Sequence, residues 1–396
     1  MIILLIFSTL FILILLNYIL IKNSKIRIIY NIFIVIFFLY QFSFYLFYNI
    51  NINFGYSFIN TSKNNILNSV YISLIYSFIL FLSLIIFTNL KIIKYNILIL
   101  NKNINYWMII LFILTNTIFL YAYFKGAYNE IYHNKALAAV YSTSYLFLNY
   151  TIIYMISVIS VNYSLLSRIG KIIFIFLIIE FIIMHILIMN RKEILFLLLI
   201  FFTVYINKYK PTIKIYLFSI ILLFILFIFG FIREMEDFTI LEFIRVISGG
   251  NEFIMPIQTL FYAVFNSIHS PEHIFSSLTS YIPSFIYPNK IDSIGAFING
   301  YFKSFFNGFT VGFASTPVTE AFIIYNYYFI LHIPFVILII IIFSKLKNSL
   351  ILVLGMSFEY ARGELLSIVV LIIYFSIAYL FTICIINLFN KRKKIQ

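Results

Sequence analysis

Runs of apolar residues that stay apolar on every helical face recur along this chain, separated by short polar breaks. Predicted helical spans fall at 2–21, 28–48, 66–89, 105–123, 143–163, 171–189, 194–207, 213–232, 321–344, 348–360 and 365–389. Most reach the roughly 20 residues that carry a helix across a bilayer. The runs at 194–207 and 348–360 are shorter and read as tilted, broken or re-entrant elements. A water-soluble domain would instead alternate polar and apolar helix faces around one core. The pattern therefore predicts an all-α, polytopic transmembrane helix bundle of about eleven spans, with residues 1–396 forming a single integral membrane domain.

One long interruption breaks the rhythm. Residues 233–320 form a large loop that gathers Glu234, Glu236, Asp237, Glu242, Glu252, Glu272, Asp292 and Glu320. Within it, Glu242, Arg245, Gly249 and Glu252 recur at spacings of three and four, with Ile240, Phe243, Ile244 and Ile247 elsewhere. That periodicity predicts an amphipathic helix lying near the membrane surface within 238–264 and interrupted at Gly249-Gly250. The prolines and glycines from Pro271 to Pro317 predict irregular loop for the remainder.

Composition narrows the class further. The chain is 63% hydrophobic and 10% charged, with a formal charge of +14. Such a charge on a soluble chain would point to nucleic acid; here the lysines occupy short loops between spans, where they fix orientation and meet lipid headgroups, so nucleic acid is excluded as a partner. Cys384 is the single cysteine, which rules out a disulfide framework or thiolate metal cluster. The apolar start at 1–16 has no basic residue before it and no small-residue cleavage site, so it reads as a retained first span. Basic clusters at Lys22 to Arg27, Lys91 to Lys102, Arg168 and Lys171, Lys208 to Lys214, Lys345 and Lys347, and Lys391 to Lys394 fall on alternate ends of successive spans. The positive-inside rule then places the N-terminus outside, the C-terminus in the cytoplasm and the large loop outside. The short run 348–360 must cross for this to hold. Every acid except Glu180 then lies at the outer side, a polar working face.

On that face, Arg191, Arg233, Arg245 and Arg362 are the candidates for binding a diphosphate, since guanidinium offers paired donors to phosphate oxygens. Neighbouring acids such as Glu193, Glu236, Glu242 and Glu359 compete as salt-bridge partners. Glu320 and Glu252 are the candidate general bases; Glu320 opens a span, so capping a helix N-terminus is its structural alternative. His269 and His273 lie four apart, but Pro271 between them spoils a helical ligand pair, and no metal is expected. Glu180 and His185, five apart, occupy different helix faces, which predicts hydrogen bonding within the bundle rather than a proton relay. The absence of a Gly-rich phosphate loop, a His-Glu-x-x-His pair and a nucleophile elbow disfavours nucleotide-driven or hydrolase chemistry.

Four stretches, Asn190-Arg-Lys-Glu, Ser280-Tyr-Ile-Pro-Ser-Phe-Ile-Tyr-Pro-Asn-Lys, Gly312-Phe-Ala-Ser-Thr-Pro-Val-Thr-Glu, and Ala361-Arg-Gly-Glu, give the second half an order that resembles the Wzy-type polymerases of O-antigen and capsule repeat units. The chain departs from some members in lacking an outer-loop arginine followed eleven positions later by glycine. The resemblance implies a metal-independent, cofactor-free glycosyltransferase of the cytoplasmic (inner) membrane, with a fold related to the membrane-embedded lipid-linked-sugar (GT-C-like) transferases. Its substrates would be undecaprenyl-diphosphate-linked glycans in the lipid bilayer, with a chain-length regulator and a flippase as partners. The four arginines would hold the departing diphosphate, Glu320 or Glu252 would take the acceptor proton, and Tyr281, Tyr287, Lys290, His269 and His273 would contact glycan. A lipid-linked oligosaccharide flippase and an O-antigen ligase are the alternatives.

Overall fold

The computed structural model describes residues 2–48, 63–100, 104–124, 146–187, 191–209, 255–275, 294–302, 315–361, 363 and 365–395. Its α-helices, in chain order, are α1 (Ile2–Leu20), α2 (Ser24–Tyr48), α3 (Lys63–Asn89), α4 (Ile104–Phe124), α5 (Leu146–Val161), α6 (Arg168–Leu187), α7 (Arg191–Lys208), α8 (Met255–Phe265), α9 (Ile294–Phe302), α10 (Pro317–Tyr325), α11 (His332–Lys345), α12 (Ser349–Ala361) and α13 (Leu365–Ile395). There is no strand among the described residues. Among the described residues, six stretches are long and apolar enough to cross a membrane: Ile2–Leu20, Ser24–Phe42, Ile66–Asn89, Arg168–Ile186, Pro317–Lys345 and Ser367–Leu388. The chain is a helical membrane protein. A helix underlies each predicted run except 213–232, which lies outside the described residues. The helix at the shortest run, α12, has 13 residues, about 20 Å against a hydrocarbon core of about 30 Å.

The chain divides into two compact units, one of residues 1–94, 211–342 and 356–370, the other of 95–210, 343–355 and 371–396. In the first, α1 packs on α2 and α3, and α8 packs on α2, α3 and α10. The α1–α2 turn is set by asparagines. Asn23 Oδ1 accepts the Lys25 N–H at 3.0 Å and so caps α2, while buried Asn17 donates to the Arg27 carbonyl at 2.9 Å and to Asn31 Oδ1 at 2.6 Å. The opposite face of α1 exposes Leu4, Phe7, Phe11, Leu15 and Tyr18, the apolar surface a lipid-facing helix presents. At the end of α3, Lys91 takes φ 60°, the left-handed conformation usually given to glycine, so that the Ile92 N–H reaches back to the Phe87 carbonyl at 2.9 Å.

In the large loop, Met255–Phe265 is a helix whose Thr259, Leu260, Phe261, Ala263 and Val264 are buried, so it packs inside its unit; 238–254, with the Glu242, Arg245, Gly249-Gly250 and Glu252 that define the predicted surface helix, lies outside the described residues. One expectation is corrected. The stretch beyond Pro271 is not all irregular, because Pro271–Phe275 is a 3-10 turn and Ile294–Phe302 a helix.

The predicted span 321–344 is also broken. α10 ends at Asn326, which adopts φ 53°, a 3-10 turn follows over Asn326–Leu331, and α11 starts at His332. Asparagine tolerates positive φ better than other non-glycine residues, and Pro334, two residues into α11, cannot donate to a carbonyl of the preceding turn.

In the second unit, α4 packs on α5 and α6, and α7 on α5 and α6. An extended strap over 94–100 precedes α4 and is held by asparagine side chains. Asn96 donates from its backbone to Ser349 Oγ at 2.8 Å and from Nδ2 to the Ser344 carbonyl at 3.0 Å, while Asn162 Oδ1 accepts the Leu100 N–H at 2.8 Å. The core is aromatic: Tyr150 and Phe375 both meet the Phe196 ring, with centroids 6.1 and 6.0 Å away.

Candidate functional site

In the first unit, the break between α10 and α11 creates a buried polar chain. Thr316 caps α10 by accepting the Thr319 N–H at 3.1 Å, and Pro317 occupies the first helical turn, where no N–H is needed. The Thr-Pro-Val-Thr-Glu run therefore starts a helix and places Glu320 one turn inside it. Glu320 is 1% exposed. It lies in the first turn of α10, where an acid favours the helix dipole, and its Oε2 accepts the Leu365 N–H at 2.7 Å, the first residue of α13. The carboxylate thus also caps a helix 45 residues away in sequence.

The same Oε2 faces His332 Nε2 at 3.6 Å, longer than a direct hydrogen bond. His332 Nδ1 is 2.8 Å from the Tyr76 hydroxyl, which is 2.7 Å from the Tyr360 hydroxyl. All four side chains are buried. A carboxylate, an imidazole and two phenols thus line up from the start of α10 through α11 and α3 to the end of α12. Each can pass or hold a proton, and the imidazole can serve either neighbour.

The turn between α12 and α13 is fixed on the same side. Gln41 Nε2 donates to the Ala361 carbonyl at 3.4 Å, and the Gly363 N–H to the Tyr360 carbonyl at 3.4 Å. A Cβ on Gly363 would come within 2.9 Å of the Glu359 carbonyl oxygen, so this position of the Ala-Arg-Gly-Glu motif has no room for a side chain. Glu359 itself is buried.

A second polar cluster hangs on the frayed end of α10. The helix stops at Tyr325, and the Ile323 carbonyl accepts from the Ser270 N–H at 2.9 Å and from His269 Nδ1 at 3.1 Å. A carbonyl only accepts, so His269 carries its proton on Nδ1. Ser270 donates its single hydroxyl proton to Glu272 Oε1, and the His273 Nδ1–H in turn donates to Ser270 Oγ at 2.8 Å. His269 is exposed, whereas His273 is buried with its ring 4.3 Å from that of Phe297. The Ser270 hydroxyl beside Glu272 holds its carboxyl below the ordinary carboxylate range, with smaller contributions from a backbone hydrogen bond and the two histidines. A depressed folded-state value means that this bond contributes fully above the ordinary carboxylate pKa and is lost as pH falls through the depressed one. Ser270→Ala is expected to move the Glu272 titration back up, measured by NMR of 13C-labelled glutamate.

Of the remaining candidates, Arg191 opens α7 in the second unit, where only its backbone is described; Glu193 beside it is buried, and Lys192 Nζ lies 5.7 Å from the centre of the Tyr150 ring. Arg233, Arg245, Arg362, Glu252, Lys290, Tyr281 and Tyr287 lie outside the described residues. Glu180 and His185 do occupy different faces of α6, but the expected hydrogen bonding of His185 is corrected. Its ring packs 4.3 Å from Phe181, and neither nitrogen has a hydrogen-bond partner among the described residues. The sequence reading missed His332, Tyr76, Tyr360 and Gln41. The signal available was His332, an ionisable group inside an apolar span.

Compared with protein-family models, characterised proteins and solved structures, the chain matches none.

Proposed function

We propose that this chain polymerises undecaprenyl-diphosphate-linked oligosaccharide repeat units into O-antigen or capsular polysaccharide at the outer face of the cytoplasmic membrane. The observation that carries the reading is the bond from the Leu365 N–H to Glu320 Oε2. It joins the Gly312-to-Glu320 stretch to the end of the Ala361-Arg-Gly-Glu turn, the two motifs nearest the C-terminus on which the polymerase resemblance rests. A buried carboxylate and an arginine-bearing turn are the two groups that glycosyl transfer from a lipid diphosphate needs.

In this reading the acceptor hydroxyl oxygen bonds to the anomeric carbon of the donor glycan while the bond from that carbon to the diphosphate oxygen breaks. The diphosphate leaves with the electron pair, held by Arg191, Arg233, Arg245 and Arg362. The hydroxyl proton goes to Glu320, and His332, 3.6 Å away, is the next group able to take it. Glu252 is the alternative base, and Tyr281, Tyr287, Lys290, His269 and His273 contact glycan. No nucleotide or metal is required, because the donor carries its own activation. The eleven-span topology, with the N-terminus outside and the C-terminus in the cytoplasm, belongs to the same proposal.

A flippase is the second reading, favoured by the break at Asn326–Leu331 and the buried Glu320–His332 contact, since transporters place ionisable groups at interrupted helices. Deleting the gene separates the two. Surface glycan limited to one repeat unit is expected for a polymerase, whereas unpolymerised units held on the cytoplasmic side would mean a flippase, and full polymer left unattached a ligase. Full polymer length after Arg362→Ala or Arg191→Ala at normal expression would overturn the diphosphate assignment.

A further inference from the structure

The basic end of the second unit carries a cluster that the outer-face chemistry does not use. Lys171, in the first turn of α6, places its Nζ 5.4 Å from the centre of the Tyr163 ring, and Lys208, at the end of α7, places its Nζ 6.0 Å from the same centre. Arg168 begins α6 beside them. No carboxylate pairs with Arg168, Lys171 or Lys208 among the described residues.

Two features favour an anion here. Arg168 and Lys171 sit at the positive end of the α6 dipole, where cations are disfavoured and anions bind. Ser167 Oγ caps that end by accepting the Gly170 N–H at 3.1 Å, so it already presents an ordered helix N-terminus. The second feature is the convergence of two ammonium groups from different helices on one ring. Lys208 is anchored there by donating to the Ser160 carbonyl at 3.4 Å, near the C-terminus of α5, which leaves two of its three N–H donors for another acceptor. Leu165, two residues after Tyr163, and Ile169, next to Arg168, are 46% and 70% exposed, apolar surface that suits acyl chains.

We propose that Arg168, Lys171, Lys208 and Tyr163 form a binding site for the headgroup phosphate of an anionic phospholipid. The phosphate bridges the two lysines over the α6 N-terminus while the acyl chains run along Leu165 and Ile169. The site is independent of the polymerase reading, and it ties α6 to the loop after α5 and to the end of α7.

The test is native mass spectrometry of the full chain released from a neutral detergent, titrated with phosphatidylglycerol, with phosphatidylethanolamine and with inorganic phosphate. Phosphatidylglycerol is expected to be retained selectively. Removing both lysine charges in the Lys171→Gln/Lys208→Gln variant is expected to weaken it about 30-fold, on the order of fivefold for each charge near a lipid surface. The Lys171→Arg/Lys208→Arg variant is expected to retain it. Equal retention of phosphatidylethanolamine, or unchanged binding in the double Gln variant, overturns the site; displacement of the lipid by an equal concentration of inorganic phosphate reassigns it to free phosphate and overturns the lipid. Should the double Gln variant not fold, Lys208→Gln alone and the headgroup selectivity of the unaltered protein decide the question.

Discussion

Glu320→Gln is expected to leave the protein folded and to abolish polymer extension, whereas Glu320→Ala should lose both the fold's margin and the activity. The difference follows from the bond to Leu365. A glutamine keeps a carbonyl oxygen where Oε2 accepts the N–H at 2.7 Å, so the start of α13 stays satisfied. Alanine leaves that N–H buried without its acceptor, at a cost of about 1–3 kcal/mol. Chemistry discriminates the other way. A neutral amide cannot take the acceptor proton, and loss of a general base slows a reaction by roughly 10²–10⁴-fold. Thermal unfolding in detergent reads the first effect and glycan chain length on gels the second. Wild-type chain length in Glu320→Gln would reduce Glu320 to a helix cap and move the base elsewhere. If the flippase reading is the correct one, the same variant instead accumulates unpolymerised units on the cytoplasmic side.

Helices were legible in the sequence wherever the apolar runs were long, because a bilayer leaves few other solutions for an uncharged stretch of about 20 residues. The break inside Pro317–Lys345 was not, since Asn326, Tyr327 and Tyr328 interrupt apolarity too briefly to lower the average over a span; only Pro334 hinted at it. Glu320 stood out because acids are rare, with 13 Asp and Glu in the chain. Its partners did not. Tyr76 and Tyr360 are two of 32 tyrosines, and they meet from positions 284 residues apart, a distance that no motif spacing encodes. Nor was the burial of particular acids legible. The topology rule treats acids as nearly silent, so it could not reveal that Glu193, Glu320 and Glu359 are buried.

The second large effect is expected at Gly355, in the second unit, and is a matter of packing alone. A Cβ built there falls into the Phe196 ring. The ring has little freedom to retreat, being fully buried and flanked by the rings of Tyr150 and Phe375. In a helix interior glycine ordinarily costs about 1 kcal/mol relative to alanine, so propensity alone predicts that Gly355→Ala stabilises. Overpacking a tight core costs about 1–3 kcal/mol, which outweighs that gain and reverses the sign. Gly355→Val adds two more carbons against the same ring and should lower the unfolding temperature further. Because the clash involves one partner, shortening it should relieve it. Phe196→Leu alone is expected to destabilise by opening space between Tyr150 and Phe375, yet Gly355→Ala combined with Phe196→Leu should be more stable than the sum of the two single changes. A double-mutant cycle on thermal unfolding measures that coupling, which direct contact predicts to be about 0.5–3 kcal/mol. Strict additivity would mean that α12 and α7 do not approach each other through this glycine.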